Sequence, residues 1–289
     1  HILCTEDLYG GTVRMFESIG EKRGVTFSYV DTSDIELVRK SIRKETKALY
    51  IETPSNPTMK VTDFAAMREI ADEYGLLIIA DNTFLTPYFQ KPLTLGADLV
   101  VHSGTKFLGG HNDVLAGFVC IKGKGLSEKL RYTYKTVGCC LSPFDSFLVL
   151  RGIKTLSVRL ERQQENAKKI ALWLKDRPEV KAVYYTGLPE HPGYEINQKQ
   201  ASGCGSMISF KVDSEKRARK LLESVKLISY AESLGGVESL ITYPMLQTHG
   251  DVPVETRERL GITEDFLRMS VGIENAEDLI ADLEQALAE

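Results

Sequence analysis

No apolar run in this chain comes near the ~20 residues that a helix needs to cross a bilayer, so no stretch reads as a helical membrane span. There is no CxxC pair. The five cysteines, Cys4, Cys120, Cys139, Cys140 and Cys204, are odd in number and scattered, which argues against a disulfide framework or a zinc site and fits reduced thiols in a cytoplasm. No GxGxxG follows a strand-like run and no Walker A motif is present, so dinucleotide and P-loop readings lack their phosphate cradle. His102, His111 and Asp113 lie close in sequence, but their spacing matches no standard zinc motif. Neither sign of charge dominates. The 36 lysines and arginines stand interspersed with 40 acids for a net charge of −4, which leaves no footprint for nucleic acid or a membrane surface. Internal repeats and low-complexity segments are absent too.

What is present is the composition of an ordinary globular protein. With 289 residues, 43% hydrophobic and 26% charged, the chain can bury one or two cores. Its most informative stretch is LLIIADNTFLTPYFQKPLTLGADLVVHSGTKFLGG, residues 76–110. Leu76–Ala80 and Leu99–Val101 are short apolar runs suited to fully buried parallel strands, and each ends in polar residues. Ligands of open α/β sheets bind beyond the carboxyl ends of the strands. That rule brings Asp81 and the group Ser103-Gly104-Thr105-Lys106 to one rim. Singly, Lys106 would read as a solvated loop lysine and Asp81 as a helix cap. Together they are an amine among small and apolar neighbours, two hydroxyls and an acid. Such an amine forms a Schiff base with an aldehyde, the hydroxyls can hold a phosphate, and the acid can hold a protonated ring nitrogen; this is the donor set of a pyridoxal phosphate site.

Along the chain, His1–Cys4, Val25–Val30 and Lys47–Glu52 read as strands. A helix is expected from about Ser33, and another from a Thr62 or Asp63 cap to Tyr74, with Gly75 as its stop. The alternation predicts a parallel, doubly wound sheet. Tyr9 precedes the turn signal Gly10-Gly11 and alone would read as a core aromatic. The prolines of TPSNPT, 53–58, forbid a continuing strand and place Asn56 in a loop. LAGFVCI, 115–121, is a further strand. Ser142-Pro143 starts a helix whose apolar spacing runs to Leu174, with Gly152 at a bend. The domain boundary is placed near residue 157, giving a large domain over 1–157 and a smaller α/β domain over 158–289. In the latter, Val183–Tyr185, Met207–Val212, Ser239–Tyr243 and Phe266–Ser270 alternate with helical stretches, the last being Ala276–Leu287. Arg268 lies inside an apolar strand and needs a partner, either a structural acid or a substrate carboxylate bound bidentately.

The runs DNTF-x-TP, PL-x-x-GAD and HS-x-TK-x-x-x-GH resemble the Cys/Met-metabolism family of pyridoxal phosphate enzymes, as do YGGT-x-R, ETPSNP, ESLGGVESL and LRMSVGIE. That family includes cystathionine γ-synthase, cystathionine γ- and β-lyases, methionine γ-lyase and O-acylhomoserine sulfhydrylases. The resemblance covers nearly the whole chain. It implies the aspartate-aminotransferase-like fold (fold type I), with a mostly parallel sheet domain and a smaller C-terminal α/β domain, and pyridoxal 5′-phosphate as cofactor. It also implies Lys106 as the lysine that carries the cofactor, Asp81 as the partner of its ring nitrogen, Ser103 and Thr105 as phosphate ligands, and Asn56 on its phenolic oxygen. Tyr9 takes the place of a tyrosine that stacks on the ring and serves as acid or base. Arg268 takes the substrate carboxylate, Ser233 and Leu234 line the lysine and carboxylate pocket, and Glu238 matches an acidic position of γ-type enzymes.

The activity so implied is trans-sulfuration of the cystathionine γ-synthase/γ-lyase type on a small sulfur amino acid. Cystathionine β-lyase is the alternative, then O-acetylhomoserine sulfhydrylase or methionine γ-lyase. Gly11 stands where methionine γ-lyases usually carry cysteine, which weighs against the last. The family's usual assembly is a homotetramer, a dimer of dimers with shared active sites. Residue 1 is His and already reads as strand, so the sequence is expected to be part of a longer chain. A shortened, cofactor-deficient relative with a binding or assembly role is the reading from another class.

Overall fold

Apolar segments of four or five residues that give way to polar ones build the first sheet. The computed structural model describes residues 1–247, 250 and 254–288. Strands β1 (Ile2–Thr5), β2 (Phe27–Val30), β3 (Ala48–Glu52), β4 (Leu77–Asp81), β5 (Leu99–Ser103) and β6 (Gly117–Ile121) lie in the order β2-β1-β3-β4-β5-β6. Five of them run parallel, and β6 returns antiparallel beside β5. From β1 the chain goes outward to β2 and then crosses back to β3 on the other side. The carboxyl ends of β1 and β3 therefore flank the switch point where such sheets bind ligands.

Helices Ile35–Ser41 and Phe64–Tyr74 cover one face of this sheet. The second starts because the Asp63 side chain accepts from the N–H groups of Ala65 and Ala66, and it stops at Gly75 in the left-handed region (φ 65°). Val38, Met67 and Ile70 pack with Leu3, Leu49, Ile51 and Ile78 of the strands in a buried cluster. Each such side chain contributes roughly 1.5–3 kcal/mol through the water it leaves. All five residues of β3 are buried, as expected of a strand covered on both faces.

A second sheet consists of β7 (Val180–Tyr184), β8 (Met207–Val212), β9 (Ser229–Tyr230), β10 (Leu240–Thr242) and β11 (Phe266–Ser270), in the order β7-β8-β11-β10-β9. Its pairs are antiparallel apart from β9 with β10. Helices Leu156–Lys175, Glu215–Ser224 and Ala276–Ala288 pack on it through Ile170, Leu174, Leu221, Leu279 and Leu283.

Three features differ from the sequence expectation. The helix expected from Phe144 to Leu174 is two helices, Pro143–Ile153 and Leu156–Lys175, separated at Lys154 and Thr155. Gly152 packs so tightly on the carbonyls of Leu108 and Gly109 that a Cβ there would overlap them, and the chain turns at that contact. Helix Lys124–Val137 is an addition to the expected elements; it carries an apolar stripe of Leu126, Leu130, Tyr134 and Val137 at helical spacing, yet none of its residues is buried. The second sheet is also mostly antiparallel, whereas short apolar runs alone do not reveal strand direction. All five cysteines are free, and among the described residues no helix is long and apolar enough to cross a membrane.

One buried carboxylate ties the last helix to the second sheet. Asp282, 6% exposed, accepts from the backbone N–H groups of Lys226, Leu227 and Ile228 at 2.8–3.1 Å, just before β9. Truncation leaves three donors without a charged acceptor. Asp282→Ala is expected to cost about 3 kcal/mol, read as a lower urea midpoint with an unchanged denaturant slope.

Candidate active site

Four strand ends of the first sheet and two segments of the second supply the site. Asp81 closes β4 and stands in register with Glu52 at the end of β3. Its Oδ1 accepts from the Thr83 N–H (3.0 Å) and hydroxyl (2.6 Å), and the Thr83 hydroxyl in turn accepts the Ser103 N–H at 2.9 Å. Both bonds fall on Oδ1, which leaves Oδ2 for a further donor. Burial raises the Asp81 carboxyl above the usual range, and the Thr83 bonds pull the other way.

Beyond β5 the chain makes a wide turn over Gly104–Leu108, broken at Lys106 (φ −92°, ψ −130°). A Cβ at Gly104 would overlap Phe118 and Ala116, so only glycine lets the turn sit this close to the sheet. The Thr105 hydroxyl accepts the Ala116 N–H at 3.0 Å and lies 3.3 Å from the Ala116 carbonyl. Lys106 Nζ donates to Ser233 Oγ at 2.9 Å. Burial lowers its pKa from 10.5 to about 8, the charge of Arg268 adds to that, and Glu232 opposes it. Near neutrality a useful fraction of this amine is therefore unprotonated.

Arg268, in the middle of β11, is 2% exposed. Nη1 donates to Asn56 Oδ1 at 2.8 Å, and Nη2 donates to the Ser233 carbonyl (2.9 Å) and Thr242 Oγ1 (3.1 Å). Burial lowers its pKa to about 10, and Nε has no partner among the described residues. No carboxylate bonds to it, so the structural acid allowed by the sequence is not what pairs with this guanidinium among the described residues. The bond to Arg268 orients the Asn56 amide and leaves its NH₂ as the free end. Ser233 sits at φ 86°, an uncommon conformation for a side-chain-bearing residue, with its carbonyl on Arg268 and its hydroxyl on Lys106.

Tyr9 precedes the short helix Gly10–Met15, and the residue is 52% exposed. Its N–H donates to Glu52 Oε2 at 3.0 Å, and the ring lies where any Cβ at Gly11 would be. Leu234 is buried in the apolar cluster that contains Phe107 and Leu108. Glu238 is exposed and accepts from Asn112 Nδ2 at 2.8 Å. The acid whose field reaches both Lys106 and Arg268 is Glu232, in a recess of about 530 Å³ that Thr105 and Ser233 also line.

Sequence reasoning passed over Glu232, Glu52 and Asp7. Glu52 is 6% exposed, and burial together with the charge of Asp81 pushes its carboxyl well above the usual range. Asp7, 1% exposed, accepts from the Ser55 hydroxyl at 2.6 Å and from the Thr58 hydroxyl; burial raises it to about 6. Acids at the ends of apolar strands were the available signal. A depressed amine, an acid with one open oxygen, neighbouring hydroxyls and a guanidinium close to the amine fit the donor needs of pyridoxal phosphate with an amino acid.

The family model described as Cys/Met metabolism PLP-dependent enzyme matches residues 1–288. Cystathionine gamma-lyase of Bacillus subtilis is 51% identical over 287 residues, 99% of this chain and 76% of that protein. Cystathionine beta-lyase of Coxiella burnetii is 47% identical over 290 residues, 99% of this chain and 75% of that protein. The crystal structure of cystathionine gamma-lyase from Lactobacillus plantarum complexed with L-serine superposes with a TM-score of 0.97 at 44% identity, covering 100% of this chain and 76% of that one.

The Lys106 environment has a direct consequence. Borohydride-trapped labelling of Lys106 by a small aldehyde, quantified by peptide mass in the cofactor-free protein, should be half-maximal near pH 8 rather than 10.5. Glu232 favours the charged amine, so Glu232→Gln should move that midpoint to lower pH.

Proposed function

The chain belongs to the Cys/Met metabolism family of PLP-dependent enzymes, and we propose that it acts at Cγ of a sulfur amino acid of the trans-sulfuration type, by γ-elimination from cystathionine or by γ-replacement that forms it. In this reading residues 1–157 hold the cofactor and residues 158–289 bring the substrate carboxylate to it. The observation that carries it is the single chain of contacts from Arg268 through Ser233 to Lys106, in which a carboxylate-seeking cation and a depressed amine share one serine.

Pyridoxal phosphate supplies the electron sink that makes the Cα–H bond of a bound amino acid acidic. Asp81 holds the proton of its ring nitrogen, Ser103 and Thr105 take its phosphate, and the Asn56 amide takes its phenolic oxygen. Arg268 orients the substrate through its carboxylate. Lys106 Nζ, as an unprotonated amine, would take the Cα proton, and Ser233 Oγ would keep that amine on the substrate's side of the crevice. For γ-chemistry a second proton must leave Cβ before sulfur departs, to Lys106 once that amine has given up the first or to Tyr9 as base, whereas β-cleavage needs only the first removal. The Tyr9 phenol is the acid for the departing sulfur. Leu234 walls the pocket. Glu232, at the mouth of the recess, suits the distal ammonium of a substrate with two amino-acid ends, and Glu238 keeps the neighbouring loop through Asn112.

The same proposal includes assembly into a homotetramer in a cytoplasm. Helix Lys124–Val137 buries nothing, and Tyr132, Val137, Phe144, Phe147 and Leu150 are each more than half exposed. An apolar face of that kind suits a second copy of the chain. Phe147→Asp with Leu150→Asp is expected to lower the mass seen in sedimentation equilibrium.

Loading with pyridoxal phosphate should produce a visible absorbance band that Lys106→Ala lacks. Cystathionine should then yield cysteine and 2-oxobutyrate. Homocysteine and pyruvate would assign β-cleavage instead, as the relatives at 47% identity suggest. No band at saturating cofactor would sink the catalytic reading and leave a binding or assembly role. Glu232→Gln should raise KM for cystathionine by about tenfold with little change in kcat.

A further inference from the structure

A second buried arginine stands behind the reactive lysine. Arg159, near the start of helix Leu156–Lys175, is 4% exposed, and no carboxylate pairs with it among the described residues. Its fork spreads over three neutral acceptors. Nη1 donates to the Phe107 carbonyl at 2.8 Å, Nη2 to the Gly152 carbonyl at 3.0 Å, and Nε to Thr155 Oγ1 at 3.2 Å.

The acceptors come from separate segments. Phe107 follows Lys106 in the wide turn, Gly152 lies in the last turn of helix Pro143–Ile153, and Thr155 is in the linker before the next helix. The carbonyl end of a helix favours a cation, so Gly152 is a natural anchor for the guanidinium. Bonds from the Gly109 and Gly110 N–H groups to the Gly104 and Lys106 carbonyls close the turn itself, and Arg159 takes the Phe107 carbonyl that follows. Close packing leaves the turn little play. A Cβ at Gly110 would overlap Arg159, one at Gly152 would overlap the Gly109 carbonyl, and one at Gly235 would come within 2.6 Å of the Phe107 nitrogen.

We infer that Arg159 is a positioning residue for Lys106: its fork grips the next carbonyl in the chain and fixes the direction from which the amine reaches Ser233 and the crevice. An apolar side chain would fill the same space without the desolvation cost of a buried charge. It would not hold the Phe107 carbonyl. A lysine would keep the charge but lack the planar fork that spans three acceptors. The inference rests on the reading of Lys106 as the reactive amine.

The test compares Arg159→Lys and Arg159→Ala with the parent protein. The first readout is the rate at which pyridoxal phosphate labels Lys106, trapped with borohydride and read by peptide mass. The others are kcat and KM of the loaded enzyme and the unfolding midpoint. Arg159→Lys should slow both labelling and kcat by about 10- to 100-fold, with KM changed far less. Ethylguanidinium should restore labelling in Arg159→Ala, while ethylammonium should not. Labelling within about twofold of the parent in Arg159→Lys, or equal rescue by both cations, would overturn the role. If Arg159→Ala does not fold, the lysine variant decides alone. A Lys106→Ala protein that still gained the cofactor band would overturn the lysine assignment itself, whatever Arg159 does.

Discussion

The crevice depends on one buried charge. Arg268 joins Asn56, 212 positions away in sequence, to Ser233 in the loop between β9 and β10 and to Thr242 on its own sheet, and so ties the loop after β3 to the second sheet. Taking a guanidinium out of water costs several kcal/mol, and three oriented acceptors offset part of that. Nε has no partner among the described residues, an uncompensated part of that cost. The same positive charge lowers the pKa of Lys106. Burial is the larger cause of the depressed amine, and the guanidinium that would seek a carboxylate adds to it.

Acids gather on the other side of the crevice for topological reasons. The reversal of strand order brings the ends of β1, β3 and β4 together, and with them Asp7, Glu52 and Asp81. Burial raises all three carboxyls, and Glu52 feels the charges of Asp81 and Asp7 as well. Hydroxyls from Ser55, Thr58 and Thr83 stabilise the ionised forms of two of them, and a backbone N–H does the same for Glu52. A cationic ring nitrogen suits such a wall, as an anionic group suits the Arg268 side.

Much of this could be read before any fold was known, because the residues that carry it lie at strand ends marked by local pattern. LLIIAD and ADLVVHS announce buried strands and place Asp81 and Ser103 at their exits. Arg268 drew notice as a charge inside an apolar strand. Glu232 and Glu238 look alike in AESLGGVESL; only the path of the loop puts the first within reach of Lys106 and Arg268 and the second on Asn112. Arg159 gave no local signal, since its acceptors lie as far as 52 residues away. Helix Lys124–Val137 carries a legible apolar stripe, but that its stripe faces away from the chain's own core is visible only in the fold.

By itself the sequence determined the strands other than the short β9, a helix start at Thr62 or Asp63 and another at Ser142, the glycine at Gly104 and the chemical types of the catalytic donors. Those follow from periodicity, backbone freedom and side-chain chemistry, which act over a few residues. Tertiary structure alone decided which donors meet, which carboxyls are raised, and where the amine points. Burial and electrostatic fields depend on distance in space, and in this chain the decisive contacts join residues 127 and 212 positions apart.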